Sequence, residues 1–276
     1  MNKVIQELQR LYFLPDQQCH SRHRDKEGPL TAELMTKSLQ GETALALKLV
    51  SADNTLRMLV IAFAKGSDWS RLASFYQHLQ NDLGLPPLAV SISAQGGFQL
   101  WLSLAECIPL AQAEAFLRGL QRKYADDLPP ANTRLLPSVS DALADMAPAF
   151  HQATDRWSAF IDPSLGSMFI DEPGLEIAPN MEGQADILSG FESIKTEDFQ
   201  RALNLLQAAV ESNTASMEGT SSAPSEATNL PGADIGTHHG DPKSFLLAVM
   251  NSPSATLDQR IKAATALLPH FESTKP

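Results

Sequence analysis

Hydrophobic and polar residues follow a helical period at the start of the chain. Apolar side chains recur three and four positions apart through residues 2–13, which predicts an amphipathic helix that ends at Pro15. Residues 16–29 are polar and charged, so we expect a loop there. A second helix is predicted to begin after Thr31, a favourable N-cap residue, and to end near Gly41.

The pattern changes to short apolar runs in the next part of the chain. Four runs have the length and composition of strands: 44–50, 56–63, 88–92 and 98–104. The run at 56–63 is almost continuously apolar, which is typical of a central strand with both faces covered. Asp53 belongs to the turn before it. Asp68 is a candidate cap for the helix that follows and that ends at Gly84.

The remainder of the chain is less regular. Three segments keep a clear pattern: a helix at 111–124, a strand at 133–136 and a helix from Thr196 through Val210. Residues 137–160 are expected to be partly helical, around Ser140–Met146. Residues 161–183 are rich in proline and glycine and show no period.

These patterns predict an α+β protein with four regions. The regions are an α+β domain at 1–137, a helical and irregular accessory region at 138–210, a linker at 211–240 and a terminal helical pair at 241–276. The linker consists mostly of small and polar residues with little to bury, so we expect it to be disordered. The region after the first domain is acidic and is predicted to be mostly helical.

Composition and charge favour a cytoplasmic protein. The two cysteines, Cys19 and Cys107, suit a reducing compartment better than a disulfide framework. No apolar run has the length of a membrane span, and the charged first helix is unlike a signal peptide. The net charge is −11, and its acidic excess lies after residue 135. Because acidic residues repel phosphate, we expect any nucleic-acid contact in the first half, where binding should be weak and salt-sensitive.

A series of motifs over residues 20–137 resembles one known family. In chain order they are Arg22–Arg24, Leu39–Leu47, Asp53–Asn54, the strand through Ala64 followed by Trp69, the Gly96–Gly97 hairpin up to Trp101, and Arg134–Pro137. Together they resemble the archaeo-eukaryotic-type primase (primase-polymerase) domains of bacterial mobile elements and conflict systems. The resemblance implies a small antiparallel sheet with helices on one face, related to RNA-recognition-motif folds.

The same resemblance indicates that the catalytic groups of the family are missing. The family has an Asp-x-Asp pair that holds two divalent metal ions, and those positions are Ala62 and Ala64 here. Alanine cannot ligate a hard cation. The family histidine is replaced by Gln99 and the arginine of a Ser-Arg-Ser element by Ile92. The resemblance therefore implies a catalytically degenerate domain without a cofactor, in which Mg²⁺ or Mn²⁺ matters only if some catalysis remains.

Several residues are candidates for contact with nucleic acid or a nucleotide: Arg22, Arg24, Lys26, Gln95, Gly96, Gly97, Gln99 and Trp101. A solvated loop explains the basic cluster at 22–26 equally well, since acidic residues alternate with the basic ones. A hairpin turn explains the two glycines equally well. Trp101 and Phe98 have the rings to stack on bases, but they point to opposite faces of one strand. At least one of them is therefore expected in the core.

Three further patterns suggest other sites or roles. Cys19, His20 and His23 lie close together in sequence, but a structural zinc site needs four ligands, so a polar loop is favoured and no metal is expected. His238–His239 falls in the predicted linker and is expected to be solvated. Residues 242–269 resemble helices of phage small-terminase proteins, although a generic amphipathic helix pair explains them as well.

Three functions follow from these observations. The first is a non-catalytic primase-polymerase homologue in DNA replication or maintenance of a mobile element, which binds single-stranded DNA or RNA or a replication protein. The second is a protein-interaction scaffold, favoured by the acidic second half and the terminal helices. The third is a residual metal-dependent nucleotidyltransferase that takes its ligands from elsewhere in the chain.

Overall fold

Residues 2–22 and 26–218 are described by the computed structural model and contain antiparallel sheets flanked by helices. The helices are α1 (Asn2–Leu11), α2 (Ala32–Leu39), α3 (Trp69–Asn81), α4 (Leu110–Lys123), α5 (Met181–Ser189) and α6 (Thr196–Glu218). The strands are β1 (Gln18–Ser21), β2 (Lys26–Pro29), β3 (Leu45–Lys48), β4 (Thr55–Phe63), β5 (Ala89–Ile92), β6 (Phe98–Pro109), β7 (Thr133–Leu136), β8 (Leu143–Asp145), β9 (Ala149–His151) and β10 (Arg156–Ile161). The predicted α+β class is confirmed.

The larger sheet has six strands in the order β7-β4-β6-β5-β10-β9. One face packs on α3, α4 and α6 through large aromatic side chains such as Phe75, Phe116 and Phe199. The other face packs on α1, α5 and the second sheet through residues such as Val60 and Trp101. Because both faces are covered, β4 has the nearly continuous apolar sequence that predicted a central strand.

The smaller sheet corrects two predictions. Its order is β2-β1-β3-β8. Residues 16–29 were expected to form a loop, but they contain the hairpin of β1 and β2. The helix expected around Ser140–Met146 is also wrong, because β8 lies there and pairs with β3. These strands have only three or four residues, and pairing with their neighbours in the sheet stabilises them more than their own sequence does.

Residues on both sides of position 137 contribute to both sheets. In the smaller sheet β8 pairs with β3, and in the larger one β10 pairs with β5. Helix α5 is joined to β10 by Gln184, which accepts from the Phe160 amide at 2.7 Å and donates to the Phe160 carbonyl at 2.9 Å. The side chain of Gln184 thus satisfies strand backbone groups that would otherwise be buried without a partner. The division of the chain at residues 137 and 210 stays a prediction.

The predicted cap of α2 is confirmed, whereas the predicted cap of α3 is wrong. Thr31 caps α2, as predicted, by accepting from the Leu34 amide at 3.2 Å. Asp68 was expected to cap α3, but its side chain makes no capping bond, and its Oδ2 is buried without a partner among the described residues. The last helix continues past Val210 to Glu218.

Several predictions for the terminal part of the chain concern residues beyond 218, which the structure does not describe. The predicted linker beyond Glu218, His238–His239 and the terminal helical pair at 241–276 all lie outside the described residues. None of the helices that the structure describes has the length and hydropathy needed to cross a bilayer.

Candidate functional site

A cavity of about 330 Å³ opens where the ends of β4, β6 and β7 meet β8 of the smaller sheet. Three of the four positions at which the family resemblance places active groups, Ala62, Ala64 and Gln99, line it, whereas Ile92 does not. They come from two different strands. Residues 62, 64 and 99 therefore lie together at one cavity. The volume is within the range of small-ligand sites in proteins.

The sheet register places four side chains of this face in one row. Ala62 pairs with Gln99 on β6 and with Arg134 on β7, and Gln99 pairs in turn with Ser91 on β5. Directly paired residues of an antiparallel sheet have their side chains on the same face. The small methyl group of Ala62 therefore lies between a guanidinium and a carboxamide.

Hydrogen bonds orient the carboxamide of Gln99, which is 5% exposed. The indole Nε1 of Trp101 donates to Ser91 Oγ at 2.9 Å, and the Ser91 hydroxyl donates to Gln99 Oε1 at 3.3 Å. An indole N–H is only a donor, so it directs the serine proton toward the glutamine. No described residue accepts a hydrogen bond from Gln99 Nε2. That amide group is left as a donor at the cavity.

Two ion pairs supply the charges around the cavity. Arg134 Nη1 lies 3.2 Å from Asp141 Oδ2. Asp145 accepts from Arg22 Nε at 2.8 Å and from Arg22 Nη2 at 2.5 Å. The two arginines and two carboxylates balance, so these groups leave the cavity without a net charge.

The donors present do not fit the two divalent metal ions that the family resemblance implies. Ala62 and Ala64 contribute hydrocarbon side chains, and Asp145 is the carboxylate that lines the cavity. Its charge is already shared with Arg22. Across the described residues, no group of three or more His, Cys, Asp or Glu side chains could hold a metal ion. Hard cations need several oxygen ligands, so the described residues offer no such site at this cavity.

The Gly96–Gly97 hairpin closes one side of the cavity. Both glycines have positive φ, +111° and +72°. A Cβ on Gly97 would lie 1.9 Å from the Phe63 carbonyl oxygen, whereas one on Gly96 would meet nothing closer than the Ala64 oxygen at 3.4 Å. The hairpin therefore needs glycine at 97 in order to pack against the end of β4.

Sequence reasoning missed a histidine beside this hairpin. Gln95 Nε2 lies 2.6 Å from His151 Nε2, and His151 belongs to the edge strand β9. Gln95 lines the cavity together with Ser93 and Gly96. The sequence carried no signal for this contact, because residues 137–160 were interpreted as partly helical.

The remaining candidates lie elsewhere. Trp101 is 1% and Phe98 0% exposed, on opposite faces of the sheet, so neither ring can stack on a base without leaving the core. Ile92 is buried on the face of the larger sheet that packs on α3, α4 and α6, and it does not line the cavity. Lys26 lines a second cavity, beside β1 and α2. Arg24 lies outside the described residues.

Two polar features are explained by local structure. The side chains of Ser51 and Thr55 donate to the Asp53 carboxylate, which lowers its pKa and supports the turn predicted there. Cys19 is buried in the smaller sheet, and burial raises the pKa of its thiol. His23, the third member of the cysteine–histidine cluster, lies outside the described residues.

One comparison with known proteins supports the family that the motifs suggested. Residues 4–138 match the family model of the archaeo-eukaryotic primase domain of TOTE conflict systems. No curated protein matches the chain. Among solved structures, it is similar to the primase domain of the cyanophage S-2L primase-polymerase, with 11% identity, 68% of this chain and 97% of that chain covered, and a TM-score of 0.40. On the strength of the family model, the first half of this chain is an archaeo-eukaryotic primase-type domain.

Proposed function

We propose that this primase-type domain binds single-stranded nucleic acid without synthesising it, as an accessory protein of a mobile element or conflict system. One observation carries the proposal. A cavity lies where the family resemblance places the catalytic groups, and Ala62 and Ala64 line it at the positions to which the resemblance assigns the metal-binding acids. Phosphoryl transfer in such sites depends on metal ions that stabilise the attacking and leaving oxygens. A domain without ligands for them keeps a binding surface and loses the chemistry.

The donors that remain suit binding. Gln99 offers an oriented amide N–H, and Arg134 offers a guanidinium at the edge of the same row. Guanidinium groups form directional bonds with phosphate oxygens. With an overall charge of −11 and neutral ion pairs around the cavity, affinity should be modest.

We expect the full chain to bind a fluorescent single-stranded oligonucleotide with a dissociation constant of about 1–100 µM, close to the usual range for non-specific binding. Binding should weaken as salt is raised, because phosphate contacts release counterions. Fluorescence anisotropy at low and moderate salt measures both. A chain that gives no anisotropy change at low salt does not have the proposed function.

A protein-interaction scaffold is the second candidate. It is favoured by Met168 and Ile177, which are 74% and 80% exposed in an acidic part of the chain. A pulldown with the full chain and with a chain lacking residues 241–276 tests whether the terminal segment recruits a partner. If that deletion removes no partner, the terminal segment has no docking role.

A further inference from the structure

Arg134, Ala62 and Gln99 lie in one row on the same face of the larger sheet. The methyl group of Ala62 forms an apolar floor between the two hydrogen-bond donors, Arg134 and Gln99. Both flanking residues pair directly with Ala62 and share its face of the sheet. Neighbouring strands lie about 4.8 Å apart, so the backbones that carry the two donors are roughly 10 Å apart. The methyl group between them leaves room for a ligand that bridges the donors.

Both donors have free hydrogen-bonding capacity. The carbonyl oxygen of Gln99 is occupied by Ser91, which leaves its amide hydrogens available. Arg134 has five N–H groups, and its ion pair with Asp141 uses Nη1 at 3.2 Å. Amide and guanidinium donors facing each other across an apolar floor are complementary to the oxygens of an anion.

Charge decides which anion fits. A nucleoside triphosphate carries several negative charges, which metal ions compensate in enzymes that use it. Here the two arginines are balanced by Asp141 and Asp145, and the residues that the structure describes supply no ligand set for a metal ion. One negative charge can be accommodated if Arg134 exchanges Asp141 for the ligand. The floor is also free of carboxylates at 62 and 64, and the carboxylate of Asp145 that lines the cavity is paired with Arg22.

We propose that this cavity binds one phosphodiester group of single-stranded nucleic acid directly, between Arg134 and Gln99 and above Ala62, without a bridging divalent cation. The replacement of the family acids thereby changes the preference of the floor from cations to anions. This inference rests on the proposed function and specifies what part of the nucleic acid enters the cavity.

The test is anisotropy of a fluorescent oligothymidine with the full chain in EDTA. Ala62→Asp places a carboxylate where the phosphate would lie, and we expect binding to weaken about tenfold or more. Ala62→Asn has nearly the same shape without the charge, so it takes up room above the floor but adds no repulsion, and it should weaken binding clearly less than Ala62→Asp does. Arg134→Gln should weaken binding and reduce the salt slope by about one. Lys123→Gln is the control, because it removes one positive charge from α4 on the other side of the sheet. It should change neither the binding affinity nor the salt slope.

Three further outcomes separate the possibilities. If the unmodified chain binds but Ala62→Asp and Arg134→Gln bind equally well, this inference is wrong and the proposed function stands. If Mg²⁺ strengthens binding, or a nucleoside triphosphate displaces the oligomer better than a dinucleotide does, the cavity takes the metal-bound triphosphate instead. If free inorganic phosphate competes as well as the dinucleotide, the site is not specific for a diester. If Ala62→Asp fails to fold, Gln99→Leu provides an independent variant. A loss of oligonucleotide binding by Gln99→Leu supports a phosphodiester held between Arg134 and Gln99.

Discussion

Replacing Gly97 by alanine is expected to destabilise the protein by more than about 4 kcal/mol. The new Cβ would lie 1.9 Å from the Phe63 carbonyl oxygen and 2.7 Å from the Lys65 amide nitrogen. Both are backbone atoms, so they cannot move aside as a flexible side chain would. The residue also has φ of +72°, where a side chain adds strain. Urea unfolding followed by circular dichroism measures the change.

Gly96 is the matched control for this prediction. It belongs to the same turn and has φ of +111°, but its nearest neighbour would be the Ala64 oxygen at 3.4 Å. Gly96→Ala should therefore cost only the backbone strain, about 1–3 kcal/mol. The difference between the two variants isolates the collision with the end of β4. Equal destabilisation by both would show that the hairpin does not press on β4 as described.

Loss of Arg57 is the second large effect that we expect. From β4, its guanidinium donates to the carbonyls of Arg10 at 2.7 Å, Phe13 at 3.2 Å and Leu104 at 3.1 Å. The first lies near the end of α1, where helix carbonyls lack intrahelical partners, and the last lies where the pairing of β4 with β6 shifts register. One side chain thus joins a helix end to two strands.

Arg57→Met keeps much of the side-chain length and removes all three donors. We expect a loss of about 3–5 kcal/mol in the free energy of unfolding, because three carbonyls lose a charged partner. Arg118→Met is the control, since Arg118 makes an exposed ion pair with Glu114 at 3.4 Å and should contribute less than about 1 kcal/mol. Urea denaturation of both variants measures the two changes in the free energy of unfolding. A cost for Arg57→Met no greater than that for Arg118→Met would be inconsistent with this role.

The sequence was sufficient to predict the centre of the larger sheet. The apolar run of β4 and the following hairpin have strong local patterns, so Ala62 and Gln99 were assigned to corresponding family positions before any geometry was known. The structure pairs those two residues directly. Residue type alone then indicated that metal ligands are missing, because alanine cannot supply an oxygen.

The walls of the cavity could not be predicted in the same way. Asp145 reaches the site through a short strand whose partner is distant in sequence, and its ion pair with Arg22 spans 123 positions. His151 approaches Gln95 from an edge strand. Such contacts depend on tertiary pairing and leave no periodic signal. Alternation along β6 also could not identify a solvent-facing ring, because both faces of that sheet are covered and both Phe98 and Trp101 are buried.

Primer synthesis is the most direct test of the central claim that this primase-type domain does not polymerise. The purified full chain is incubated with single-stranded template, with and without a primer, and with deoxynucleoside triphosphates plus Mg²⁺ or Mn²⁺. Because the family resemblance assigns Ala62 and Ala64 to the positions of the metal-binding acids, we expect no product above the protein-free control. A metal-dependent product that disappears in the Arg134→Gln and Gln99→Leu variants would show that this cavity catalyses nucleotide transfer and would contradict the account.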